Sequence, residues 1–184
     1  ISNNDLNLFS SLDDSDNQGV AGKINAKQRL FTKSWQLDAF ANYQYVQKEF
    51  RTIERLYTIE FDRDWNLSAP VGNQSFITTG LEFIMPKKGI ATYQFENLAF
   101  SKNFNGNRHS LNTSFQLSQW NYQNKGSFLS SYGSTSSSKF LRNQAQVKYH
   151  FKKNWVGSSI RLEDNQEKLK PTQVLTSLSQ RFFE

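Results

Sequence analysis

Carboxylates, cations and two histidines offer this 184-residue chain most of its scope for chemistry, because it contains no cysteine. Disulfides, thiolate metal sites and Cys nucleophiles are thereby excluded. Glu60, Asp62, Asp64 and Glu82 belong to two alternating segments and are placed to oppose a row of cations at Lys23, Lys27 and Arg29. Paired carboxylates can exchange protons with a substrate. The competing reading is a set of cross-strand ion pairs along a polar lumen, whose ion preference they would set. Asp14-Ser15-Asp16-Asn17-Gln18-Gly19 spaces oxygen side chains ahead of a glycine, the opening of a calcium loop with Asp14 and Asp16 as ligands. The bidentate Glu that closes such a loop is missing, so an acidic solvated loop that caps its own turns competes with it. His109 and His150 stand outside any local hydrolase or zinc-protease motif. No catalytic residue and no cofactor beyond that calcium is expected.

The elements that must position these residues alternate with a period of two. Lys23, Asn25, Lys27 and Arg29 oppose Val20, Ile24, Ala26 and Leu30; Gln36, Asp38, Asn42 and Gln44 oppose Leu37, Ala39, Ala41, Tyr43 and Tyr45. Further segments run through Tyr57–Phe61, Ile77–Met85, Ile90–Phe95, Leu111–Leu117 and Leu141–Phe151, then from 155 to 163 and from Pro171 toward Phe183. Such patterning predicts an all-β, antiparallel up-and-down meander of about eight to ten long strands. Residues 1–18 read as an acidic loop leading into the first strand, and 19–184 as a single domain of strands. Charged or Gly/Ser-rich loops are expected at 47–55, 123–138 and 164–170, and a phase change at Glu96-Asn97-Leu98 suggests a bulge.

One five-residue pattern recurs: Phe31-Thr32-Lys33-Ser34-Trp35, Phe61-Asp62-Arg63-Asp64-Trp65, Phe100-Ser101-Lys102-Asn103-Phe104 and Phe151-Lys152-Lys153-Asn154-Trp155. Two large rings bracketing a basic polar reversal suit the boundary between an apolar slab and a headgroup layer. The four boxes are therefore expected to mark one membrane edge, with Phe31, Trp35, Phe61, Trp65, Phe100, Phe104, Phe151 and Trp155 at the interface. The lumen would be lined by Lys23, Lys27, Arg29, Glu60, Asp62, Glu82, Arg142 and Lys148. A difficulty remains at the first box, where Phe31 shares parity with Lys27 and Arg29 while Trp35 shares parity with Leu37; a bulge would reconcile them.

Mean hydropathy of −0.69 is ordinary where apolar and polar residues alternate. No run of about eighteen apolar residues offers a transmembrane helix. The net charge of +6 comes from scattered cations with no basic block, so nucleic acid is not an expected partner. Nine strands without closure, and an end at Arg181-Phe182-Phe183-Glu184 inside a strand pattern, lead to the expectation of a fragment of a larger barrel.

The boxes, the nine alternating segments and the stretch Asp5–Asn17 resemble Gram-negative outer-membrane β-barrels, in particular the large aromatic-rich barrels of Bacteroidota. That resemblance implies an outer-membrane location, insertion by the barrel-assembly machinery and a transport, secretion or scaffold role. The partners implied are the lipid bilayer, other envelope proteins and remaining strands of the same barrel. Two alternatives stay open: a soluble all-β binding protein with its apolar rows inward, and a membrane-embedded hydrolase.

Overall fold

A computed structural model describes residues 2–12, 18–50, 65–67, 72–134, 136–169 and 176–183. They form one antiparallel sheet of ten strands, each paired with the next in sequence. The strands are β1 (Ser2–Leu12), β2 (Gln18–Thr32), β3 (Gln36–Val46), β4 (Gln74–Met85), β5 (Gly89–Phe100), β6 (Phe104–Leu117), β7 (Trp120–Gly133), β8 (Ser136–Phe151), β9 (Asn154–Leu169) and β10 (Thr176–Phe183). β1 and β10 are the edges, and no ladder joins them among the described residues, so the sheet is not closed.

Register fixes two chemically distinct faces, because directly paired residues project to the same side. One face is apolar: Tyr43, Ile77, Leu81, Tyr93, Leu111 and Val147 fall on it, strand after strand. The other carries Lys27, Asp38, Glu82, Glu96, Arg108 and Arg142. The β2–β3 ladder shifts between Arg29 and Phe31. That bulge resolves the parity conflict of the first box: Arg29 pairs with Asp38 on the polar face, whereas Phe31 pairs with Leu37 on the apolar one.

Several expectations are corrected. Residues 2–12, expected as loop, form β1 against β2. The Gly/Ser-rich stretch 123–138 lies in β7 and β8, because continuous pairing to β6 and β9 supplies backbone partners whatever the side-chain polarity. β9 runs on to Leu169 through the segment expected as a charged loop at 164–170. There is no bulge at Glu96-Asn97-Leu98, where β5 pairs without interruption on both sides. The apparent phase change arises because Leu98 and Phe100 sit on the polar face and pack in an apolar cluster there.

The boxes do not mark one edge. Thr32–Gln36 and Phe151–Asn154 reverse at the same edge as Met85–Gly89 and Leu117–Trp120, while Phe100–Phe104 turns at the opposite edge. β3 pairs directly with β4; the expected strand at 57–62, with Glu60, Phe61 and Asp62, lies outside the described residues, as do Asp14 and Asp16.

Exposed side chains occur on both faces, but the buried ones do not. Of those that are buried, all but Asn124 lie on or over the polar face, among them Asp38, Thr78, Glu96, Leu98, Phe104 and Leu129. The apolar cluster of Trp65, Leu98, Phe104 and Leu129, flanked by Leu67, Phe76, Phe100 and Phe140, forms over that same face. The buried side chains thus lie almost wholly on the polar face, under and around residues 65–67 and along the β2–β5 ion pairs.

Candidate functional site on the polar face

β2, β3 and β4 bring Arg29, Asp38 and Glu82 into one lateral row, with Lys27 diagonal to it. Arg29 Nε donates to Asp38 Oδ1 at 3.1 Å, and Gln36 Nε2 donates to Oδ2 at 2.7 Å. Lys27 Nζ lies 3.6 Å from Asp38 Oδ2 and 3.5 Å from Glu82 Oε2. Two carboxylates directly opposite each other would repel; Lys27 between them converts the contact into a bridged cluster. Asp38 is only 2% exposed and so relies on these donors for solvation.

Further along the sheet, Arg108 Nε binds Glu96 across the β5–β6 ladder. Glu163 on β9 is shared by two guanidiniums, Arg142 Nε at 3.1 Å and Arg161 Nη2 at 3.3 Å. Beside that trio opens a cavity of about 320 Å³ lined by Lys125, Arg142, Arg161, Asn112, Ser127 and Gln144, among others. Arg142 and Arg161, which share Glu163, stand with Lys125 in a lining whose other polar groups are amides and hydroxyls. That lining suits an anionic or heavily hydroxylated solute more than a cation. A second cavity of about 200 Å³ is lined by Lys23, Asn25, Asn42, Gln44, Phe76 and Thr78.

Over the far end of the face lies the segment Trp65-Asn66-Leu67, which belongs to the long connection between β3 and β4. Trp65 is fully buried, its ring edge-on to Phe76 of β4 with centroids 5.9 Å apart. The Arg108 guanidinium sits 4.9 Å from the indole centroid, so this cation is held by an ion pair and a ring face together. Asn66 Nδ2 donates to Ser138 Oγ at 2.8 Å and Glu167 Oε1 at 3.0 Å, tying the segment to β8 and β9.

Comparison with protein-family models, curated protein sequences and solved structures finds no match. What the chain does must therefore be argued from its own geometry.

Among the sequence-predicted lumen residues, Lys23, Lys27, Arg29, Glu82, Arg142 and Lys148 all lie on the polar face; Glu60 and Asp62 lie outside the described residues. Of the interface set, Phe31, Trp35 and Phe151 gather at the short-turn edge of the apolar face. Phe31 and Trp35 stack at 4.2 Å, and Trp35 meets Phe83 at 5.1 Å. Trp65, Phe100 and Phe104 are instead in or against the buried cluster, where apolar neighbours remove more of their surface from water than an outer edge would. Trp155 pairs with His150 on the polar face, under the Lys148 ammonium at 4.9 Å. His109 lies on the opposite face, its Nδ1 2.8 Å from the Tyr93 hydroxyl, so the sheet separates the two histidines.

Sequence reading missed the Glu96–Arg108 pair and the position of Trp65, which it set at a membrane edge. The first was hidden because Leu98 and Phe100 share the polar parity; the second has no periodic signal, since its partners are 11 to 101 residues away in sequence.

Proposed function

We propose that this chain forms wall of an outer-membrane β-barrel of a Gram-negative envelope, with its apolar face against lipid and its polar face lining a lumen for passage, export or scaffolding. The observation that carries this reading is the bare apolar face. Leu111 is 47% exposed, Trp120 52% and Ile160 68%, and nothing among the described residues covers them. A contiguous apolar surface spread over many strands marks contact with a membrane or another protein. A soluble sandwich or lipocalin-like barrel would bury that face as its core, yet here the core cluster lies on the polar side.

The dimensions support a lipid slab. On β8 the apolar face runs from Phe151 to Leu141, bracketed by Lys152 and Lys139. Ten residues at about 3.3 Å each span about 33 Å, which a tilt of about 40° reduces to the roughly 25 Å apolar band of such barrels. Asn143 Nδ2, on this face, donates to Asn124 Oδ1 at 3.1 Å, so these two amides partly satisfy each other. A spanning sheet leaves no ladder group unpaired in lipid, so the β1 and β10 edges must be satisfied in the assembled barrel, with each other or through further strands.

The test is a pair of arginine substitutions on neighbouring residues of β8, with unfolding followed in phospholipid vesicles. Val147→Arg on the apolar face should cost about 2–4 kcal/mol near the midplane, while Gln146→Arg on the polar face should cost almost nothing. Equal penalties, or folding that needs neither lipid nor detergent, would overturn the proposal in favour of a soluble sheet.

A further inference from the structure

The two ends of the sheet differ in charge. Along one edge lie the short reversals β2–β3, β4–β5, β6–β7 and β8–β9, and they present Lys33, Lys87, Lys88, Lys152 and Lys153, all exposed, with no carboxylate in any of the four. The opposite edge mixes signs: Lys48 Nζ holds Glu49 Oε1 at 2.9 Å there.

Two of these lysines stand where backbone geometry argues against them. Lys152 has a φ of 55° and Lys87 a φ of 62°. Lys152 is the first of two residues between the paired Phe151 and Asn154, the position at which a hairpin with a left-handed first residue favours glycine. A side chain with a Cβ is strained there; Ser118 holds the same conformation, φ 55°, in the β6–β7 turn, so this strain is shared by the reversals of this edge and is not particular to lysine.

Immediately inside this cationic row the apolar face is aromatic. Trp35 lies between Phe31 and Phe83, and Tyr149 lies 4.8 Å from Trp120 and 6.3 Å from Phe151. Rings at an acyl boundary, with ammonium groups one residue farther out, match the layering of a bilayer whose headgroups carry net negative charge.

We infer that the short-turn edge binds the phosphate layer of anionic glycerophospholipids and so fixes which way round the sheet sits in the membrane. The inference rests on the lipid-facing reading above and adds the headgroup class. Each lysine near an anionic surface strengthens association by about fivefold, and added salt weakens it.

The experiment compares full-length wild type, Lys87→Gly with Lys152→Gly, and a control, Lys102→Ser at the opposite edge, on vesicles of phosphatidylcholine with and without phosphatidylglycerol. Glycine relieves both turns, so the double variant should keep its strand content by circular dichroism. Wild type should enter both vesicle types and prefer those with phosphatidylglycerol; the double variant should lose about 25-fold of that preference, and the control should keep it. Retained preference in the double variant, an equal loss in the control, or wild-type association indifferent to phosphatidylglycerol would overturn the headgroup inference alone. Failure of wild type to enter phosphatidylcholine vesicles at all would overturn the lipid-facing reading and this inference with it.

Discussion

Trp65 is the residue on which most of the polar-face packing converges. Its ring meets Phe76, sits under the Arg108 guanidinium and rests on Gly106, where an added Cβ would lie 3.1 Å from the indole. Trp65→Ala should therefore lower stability by about 3–5 kcal/mol, read as a shift in the denaturant midpoint at unchanged slope. Gly106→Ala should also destabilise, since the ring has no free surface on which to shift. Glu49, outside the strands, is held below the ordinary carboxylate range chiefly by the hydrogen bond from Lys48. Because its folded pKa is depressed, its contribution is complete above the unfolded value and is lost as pH falls through the folded one. Glu49→Gln should flatten the stability–pH curve in that acidic window and sit slightly below wild type at neutral pH, the two converging as pH falls. At this scale the row Lys27 and Arg29 was legible in the sequence, but its principal acceptor, Asp38, was read only as one more polar-face residue. Nothing in the spacing of residues 27 to 38 says which carboxylate a bulged ladder will bring opposite Arg29.

Among the elements, β2 shows how one residue decides the facing of a strand. The extra residue between Arg29 and Phe31 lets cations project to the polar face below it and Phe31 to the apolar face above it. Deleting Leu30 should regularise the ladder and keep every facing, whereas deleting Ala26 should reverse half the strand. Because the chain has no native cysteine, Lys23→Cys can be labelled without background in each deletion. A polar thiol reagent should reach it in the Leu30 deletion and lose it to lipid in the Ala26 deletion; equal labelling would contradict the bulge assignment. β7 carries the opposite lesson. Its run of Ser, Gly and Asn has weak alternation, yet it pairs over its whole length with β6 and β8 because those strands offer donors and acceptors on both sides.

For the whole molecule, the division into a bare apolar face and a polar face that holds nearly all the buried side chains carries the functional argument, and Trp65-Asn66-Leu67 lies over part of the latter. Ser131 is 4% exposed in the small cavity beside Asn66 and Leu67. A Ser131→Cys thiol should therefore react slowly with a polar maleimide, and Trp65→Ala in that background should accelerate it severalfold. Alternation by twos determined the all-β meander, the two faces and most of the ionic residues on the polar one, because a strand exposes its facing in every successive pair of residues. Which turns share an edge, which aromatics leave the lipid side for the buried cluster, and where residues 65–67 come to rest were decided only by tertiary structure. Those outcomes depend on register between strands and on contacts between residues distant in sequence, and a local period encodes neither.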